Sequence, residues 1–459
     1  MAFNSLAYAL LLAFSVAWVA RGPRPALMLI VASLVFYAAA GVFDMAVFLA
    51  AVLMNWLVQV LVPADRRRIA SAVAVNIGLI GWFKYRNLLL GETGLAGSYV
   101  DTTLPLGISF YSFQALAYHI DVVRRRSGQA RSFPEFFLFK ALFPQLIAGP
   151  IVRPKQTLPQ IQRLFDGKQR RLRLLGFGLG LIMMGLAKKV MLADSLAPVV
   201  DDIFSAPPDG AYYAWLGTLL FTFQIYFDFS GYSDIAIGSA YLLGIRLPRN
   251  FATPFLATGI AELWQRWHIT LTRFLRDYVF VPLADMRVVA RRYRAFQHFS
   301  AIVLTMTLCG LWHGAGLNFV IWGALQGGAM VLAGLWSRYL RPVPALVGWA
   351  ATFTFFATSL VIFRSPSLSY AFDYLATMAS FRGGLPGGVD DAAPVCEVAV
   401  GLAGLFALQG VEAFLQRPAF LYVLRRWDGP LLRGLLTGLS LLIILLPSNN
   451  ANPFIYFRF

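Results

Sequence analysis

Of the four histidines in the chain, His313 has the setting best suited to proton chemistry, in the run Thr307-Leu-Cys-Gly-Leu-Trp-His-Gly-Ala-Gly-Leu-Asn318. Imidazole titrates near neutrality unaided, so it can accept a proton and return it. Gly314 and Gly316 carry no Cβ and would let a ligand or another backbone come close. A buried histidine satisfied by a backbone carbonyl is the competing reading, and the residues alone leave both open. His268 lies in Glu262-Leu-Trp-Gln-Arg-Trp-His-Ile-Thr-Leu-Thr-Arg-Phe-Leu-Arg-Asp277. There Trp264, Trp267, Leu271 and Leu275 recur at helical spacing and Arg266, Arg273 and Arg276 supply charge, as in an amphipathic helix at a membrane interface. Taken alone, His268 reads as a structural residue between the two faces.

Two carboxylates, Asp228 and Asp234, sit in Tyr226-Phe-Asp-Phe-Ser-Gly-Tyr-Ser-Asp234, an aromatic stretch interrupted by glycine. Either they pair with a nearby arginine or one of them orients a catalytic imidazole. Ser109, Ser112, Gln114, His119 and Asp121 are spaced along one apolar segment. Such groups cannot face lipid cheaply, so they line an internal cavity or bond to neighbouring helices. The tail Pro453-Phe-Ile-Tyr-Phe-Arg-Phe459 is dense in aromatics, as an interfacial belt would be. It also carries one nucleophile-capable group, the Tyr456 hydroxyl, and is short enough to insert into a pocket.

The elements that must position these groups are apolar. Hydrophobic residues make up 58% of the 459 and charged residues 13%, with a mean hydropathy of +0.65; a soluble domain of this length does not have that composition. Runs of roughly 17 to 25 apolar residues, enough to cross a bilayer, recur along the chain. The sequence therefore predicts a polytopic, all-helical membrane protein. Phe3 to Ala20 lacks a basic leader region and a small-residue cleavage site, so it counts as the first span. The net charge of +17 is concentrated in short loops, the positive-inside pattern, which argues against nucleic-acid binding. Cys309 and Cys396 have neither disulfide-framework nor zinc spacing, and no metal site is expected.

Further spans are expected near Ala26 to Ala40, Met45 to Leu61, Ile69 to Phe83, Leu174 to Leu192, Tyr212 to Phe229, Asn318 to Trp336, Pro344 to Ile362, Val395 to Phe414 and Leu431 to Leu446. Phe136 to Pro150 lies between two basic blocks and contains Pro144, Gly149 and Pro150, so it reads as re-entrant or interfacial. With basic loops in the cytoplasm, both termini fall on the outer side. No internal repeat or soluble domain is apparent, so residues 1–459 read as a single integral membrane domain with the aromatic tail at 453–459.

The segments Leu104-Pro-Leu-Gly-Ile-Ser-Phe-Tyr-Ser-Phe-Gln114, Phe143-Pro-Gln-Leu-Ile-Ala-Gly-Pro-Ile151, Asp228-Phe-Ser-Gly-Tyr-Ser-Asp-Ile235, Arg249-Asn-Phe-Ala-Thr-Pro-Phe255, Trp264-Gln-Arg-Trp-His268 and Leu311-Trp-His-Gly314 occur in one order. In that order they resemble the membrane-bound O-acyltransferases, in particular the bacterial branch with alginate O-acetyltransferase and the teichoic-acid D-alanyl transfer protein. The resemblance implies a ring of tilted transmembrane helices with re-entrant segments around a central funnel. It makes His313 the catalytic histidine and His268 a second histidine associated with activity, and it suggests Tyr456 as an acyl carrier. Trp312, Asn318, Ser109, Gln114, Asp228, Asp234, Asn250 and Trp264 are then expected along the substrate path. It implies no permanently bound cofactor. The expected donor is acetyl-CoA or an acyl carrier protein, and the expected partners are a periplasmic esterase-type (SGNH) acetyltransferase and polysaccharide export machinery. A bacterial inner-membrane location and an alginate-like or other cell-surface glycan follow as expectations. A proton-coupled transporter or flippase, with His119, Asp228, Asp234 and His313 as its proton path, is the alternative from another class.

Overall fold

The computed structural model describes residues 2–86, 104–147, 149–168, 175–286, 290–380, 393–416 and 429–445. Among these residues all regular structure is helical: α1 (Leu6–Arg21), α2 (Pro25–Ala38), α3 (Val42–Leu61), α4 (Arg66–Ile80), α5 (Ile108–Val123), α6 (Phe133–Ala141), α7 (Pro154–Phe165), α8 (Leu175–Leu186), α9 (Asp194–Ile203), α10 (Ala211–Leu242), α11 (Ile260–Arg266), α12 (Ile269–Leu275), α13 (Val281–Asp285), α14 (Arg294–His313), α15 (Leu317–Tyr339), α16 (Ala345–Arg364), α17 (Leu368–Ser380), α18 (Ala393–Leu415) and α19 (Pro430–Leu445). The protein is a multi-pass membrane protein. The stretches Val42–Leu61, Leu175–Ile203, Arg294–His313, Leu317–Tyr339 and Ala345–Arg364 are long and apolar enough to cross a bilayer. Local chemistry sets several helix starts. The Ser5 hydroxyl accepts the Tyr8 N–H at 3.2 Å, the Asp65 carboxylate accepts that of Arg67 at 2.8 Å, and α2 opens on Pro25, whose missing N–H is no loss at a first helical position.

The described residues divide into two compact units interleaved along the chain. The first comprises Met1–Val190, Ser230–Arg249 and Val423–Pro447. Its tightest crossing is between α8 and the last part of α10. A Cβ at Gly185 would lie 2.6 Å from the Gly231 carbonyl oxygen, and one at Gly178 would lie 3.0 Å from that of Gly238. Lipid supplies no hydrophobic drive between helices, so small residues that let backbones touch are how such crossings are held. Gly231 therefore does not interrupt the segment, as the sequence suggested; α10 runs unbroken through it because the missing side chain serves packing. Beside this crossing Lys188 Nζ meets Asp234 Oδ2 at 2.7 Å and donates to Ser230 Oγ at 2.9 Å.

Also in the first unit, α6 ends at Ala141, and the described residues 142–147 and 149–153, with Pro144, Gly149 and Pro150 among them, form no regular helix. Nine residues of helix rise about 14 Å, under half the hydrocarbon thickness. Yet Phe136, Leu138, Phe139, Leu142 and Phe143 are fully buried, so the segment is a broken, protein-enclosed one of the kind membranes tolerate.

The second unit comprises the described residues of Met191–Phe229 and Asn250–Tyr422. Helices α14 and α15 form a close hairpin. A Cβ at Gly310 would overlap the Phe319 carbonyl oxygen, and one at Gly327 would lie 2.7 Å from Val303 Cα. Between α11 and α12 the chain takes a left-handed turn at His268, with φ of 39°. This replaces the expected amphipathic interfacial helix. Trp264 and Trp267 are each only 3% exposed and His268 is fully buried, so the tryptophans are core residues and the histidine marks the break between two short helices.

Candidate active site

His313 is the last residue of α14, and Gly314 leaves the helix in an extended conformation with φ of −160°. The imidazole is 5% exposed and is enclosed by rings. Trp312 lies 4.7 Å away, Phe363 5.1 Å and Trp322 5.5 Å between centroids, all edge to face. The space beside Gly314 is taken by the ring of Phe319, which a Cβ there would overlap. The glycine thus admits a side chain of the same hairpin, where its smallness suggested a ligand or another backbone.

The aromatic wall is fixed by hydrogen bonds. Trp322 Nε1 donates to Ser359 Oγ at 3.3 Å, Gln326 Nε2 donates to the same oxygen at 2.8 Å, and Trp264 Nε1 donates to Gln326 Oε1 at 3.3 Å. Asn318 Nδ2 donates to the Ser365 carbonyl at 3.1 Å, bonding the start of α15 to the end of α16. Sequence reading missed Trp322, Gln326, Ser359, Phe319 and Phe363. The signal was there in part: Phe319, Trp322 and Gln326 recur three and four apart on the face of α15 that follows His313, as Ser359 and Phe363 do on α16.

His268 approaches the same wall from the α11–α12 break. Its ring meets Phe229 at 4.6 Å and Trp312 at 6.0 Å edge to face, and Phe251 stacks at 6.3 Å. His268 Nδ1 lies 3.1 Å from Asn250 Oδ1, which also receives the Thr270 hydroxyl at 2.8 Å and the Thr270 N–H at 3.2 Å. His268 Nε2 is buried and has no hydrogen-bond partner among the described residues. The residue lies outside the five long apolar spans, and its complete burial pushes the imidazole pKa down to about 3, so the ring is neutral at physiological pH. Asp228 is buried as well, at 2% exposure. Trp312 thus touches both imidazoles, and the second unit gathers His313 and Trp312 from α14 with His268, Trp264, Asn250 and Asn318 from other parts of the chain.

Other expected site residues lie in the first unit. Ser109 is buried in the first turn of α5, just after Gly107 with φ of 73°. Gln114 Nε2 and Gln145 Nε2 both donate to the Phe139 carbonyl, at 2.8 and 2.6 Å. They line a small cleft with Tyr111, Gly149 and Pro150, where the Tyr111 hydroxyl and Gln145 Oε1 have no hydrogen-bond partner among the described residues. Gln145 and Tyr111 were not singled out by sequence, although both fall within quoted motifs. Asp234 is held by a lysine, Lys188, where an arginine was expected. Tyr456 and the whole tail lie outside the described residues. Among the described residues no cluster of three or more metal-ligating side chains occurs.

Comparison with known proteins adds a family to this geometry. The model of the membrane-bound O-acyltransferase family matches residues 99–370. The chain is 37% identical to the probable alginate O-acetylase AlgI of Azotobacter vinelandii, over 77% of this chain and 72% of that protein. It is 33% identical to the peptidoglycan O-acetyltransferase of Helicobacter pylori, over 78% and 74%. Similarity to the teichoic acid D-alanyltransferase of Streptococcus thermophilus is 29% identity, over 52% and 59%.

Proposed function

Because this chain belongs to the membrane-bound O-acyltransferase family and is a membrane O-acyltransferase, we propose that it takes an acetyl group from a cytoplasmic thioester and passes it outward for O-acetylation of an extracytoplasmic glycan. The observation that carries this reading is the pair of buried imidazoles sharing the Trp312 ring. Acyl transfer from a thioester to a hydroxyl needs a proton acceptor and a site that excludes water from the reactive intermediate. Two relatives named for O-acetyl transfer favour an acetyl group.

In this account His313 acts as the base or briefly carries the acyl group, and the aromatic wall excludes water. Proton removal alone accounts for about 10² to 10⁴-fold of the rate, so holding the reacting atoms together supplies much of the remainder. A thioester donor as large as acetyl-CoA and a glycan on the other face cannot both enter a bilayer; only the acyl group has to cross. The Tyr456 hydroxyl is the proposed relay: it attacks the thioester carbonyl, the C–S bond breaks, the thiolate recovers the proton, and a partner of the esterase type later moves the acetyl group to the glycan.

The relay is tested in proteoliposomes given acetyl-CoA labelled in the acetyl group, followed by peptide mapping of the label in wild type and Tyr456→Phe. Label on Tyr456 that the variant lacks supports it. Equal acetyl export by the variant contradicts it and points to direct transfer. An acyl carrier protein as donor is the second reading, favoured by the similarity to a D-alanyltransferase; charging by a loaded carrier but not by acetyl-CoA would select it. A transporter would move a whole substrate and leave no labelled protein.

A further inference from the structure

The hydrogen bonds around Asn250 fix more than the position of His268. The Thr270 backbone N–H can only donate, and it points to the same Asn250 atom as the Thr270 hydroxyl and His268 Nδ1, at 3.2, 2.8 and 3.1 Å. That atom must therefore be the amide oxygen, since an NH₂ group there would face an N–H donor. An oxygen acceptor facing Nδ1 requires the proton to be on Nδ1. In a neutral imidazole the other nitrogen then carries a bare lone pair. Further backbone bonds hold the arrangement: the Ile269 N–H donates to the Asn250 carbonyl at 2.8 Å and the Thr272 N–H to that of His268 at 3.0 Å. Asn250 and His268 are both fully buried, and Thr270 is 5% exposed.

We propose that Asn250 and Thr270 are positioning residues that lock His268 as its Nδ1–H tautomer, leaving Nε2 as a buried acceptor for the hydroxyl that receives the acyl group. A bare lone pair cannot donate to the oxyanion of a tetrahedral intermediate, so His268 has no part in stabilising it and works on the hydroxyl side of the reaction. An unsatisfied buried acceptor favours entry of a group bearing a proton over a carbonyl or phosphate oxygen. The hydroxyl O–H held against Nε2 leaves its oxygen lone pairs for the acyl carbon. The step balances whichever imidazole holds the proton in passing: O–H breaks, C–O forms, C–S breaks and the thiolate recovers the proton. The assignment of the hydroxyl rests on the acyltransfer reading; the tautomer does not.

The test is nitrogen NMR of the full-length protein labelled with ¹⁵N-histidine in lipid bilayers at pH 7.5, with the His268 signals assigned by their loss in His268→Gln. The expected result is a neutral ring with a protonated Nδ1 and a bare Nε2. An Nε2–H tautomer or an imidazolium overturns the proposal, and this measurement needs no variant of the supporting pair to fold. Asn250→Leu is expected to give mixed tautomers and to lower kcat for CoA release by about 10²-fold. Asn250→Asp keeps the acceptor and adds a charge, so the tautomer persists while the acid limb of the pH profile moves to higher pH. A merely structural Asn250 would lower activity in both variants with tautomer and pH profile unchanged, which overturns the positioning role. The expected tautomer in a protein inert toward acetyl-CoA supports the lock and counts against the proposed donor alone.

Discussion

The indole of Trp312 meets the imidazole of His268 edge to face, with ring centroids 6.0 Å apart. The contact joins two histidines that the chain carries on different elements, because the same indole lies 4.7 Å from the ring of its neighbour His313. An aromatic edge against each imidazole fixes the rings without offering either a charged partner.

Trp312→Ala should therefore disturb both histidines at once. Truncating a buried tryptophan destabilises by about 3–5 kcal/mol, and the lost orientation should lower kcat further than the loss of folded protein explains, while Trp312→Phe retains a ring and much of the rate. Thermal unfolding in detergent and CoA release, measured on the same preparations, separate the two effects. Equal specific activity of folded Trp312→Ala and wild type would contradict the role given to the indole.

The α14–α15 hairpin depends on glycines that touch the opposing backbone. Gly310→Ala would overlap the Phe319 carbonyl oxygen, whereas a Cβ at Gly334 meets nothing within 4 Å. Gly310→Ala should lower stability by about 1–3 kcal/mol or prevent folding. Gly334→Ala, on the same hairpin, should be neutral or stabilising by up to about 1 kcal/mol. Melting temperatures of the two variants check the contrast, which fails if both behave alike.

His268 gives a pH dependence whose sign follows from burial. Its folded pKa of about 3 lies below an unfolded value near 6.5, so the unfolded chain binds the proton first as pH falls. The stability associated with the neutral ring is complete above pH 6.5 and is lost progressively from there down to about 3. At pH 5 the loss is about 2 kcal/mol. His268→Gln cannot take up that proton, and its melting temperature should fall less than that of wild type between pH 7 and pH 5. Parallel slopes would show that His268 is not held neutral.

The Lys188–Asp234 pair, with side chains only 7% and 15% exposed, is the first unit's charged contact beside the α8–α10 crossing. Asp234→Asn leaves the lysine charge buried and should destabilise by about 3–5 kcal/mol. The double variant Lys188→Met, Asp234→Leu should recover most of it. Unfolding in detergent measures both, and a mild single variant with a severe double one would reverse the assignment.

Composition was enough to read a helical membrane protein, because in a bilayer only closed backbone hydrogen bonding is viable and 58% apolar residues leave few other options. The break after α6 was legible in Pro144, Gly149 and Pro150. The α11–α12 segment was misread because Trp264, Trp267, Leu271 and Leu275 keep helical spacing across a break that only the left-handed turn at His268 reveals, and their periodicity says nothing of what covers the opposite face. His313 and His268 were legible as ordered motifs. Asn250 was singled out in the sequence but its hydrogen bonds were not foreseeable, since three donors converge on one oxygen only in three dimensions. Trp322 and Phe363 come from helices beyond the motif, where an aromatic in an apolar run gives no sign of which neighbour it will meet.

His313 is the proposed centre of acyl transfer. Purified protein given acetyl-CoA should release free CoA at a measurable rate, and His313→Gln, folded and with donor binding intact, should release it about 10² to 10⁴-fold more slowly. CoA release by that variant at the wild-type rate would contradict the account.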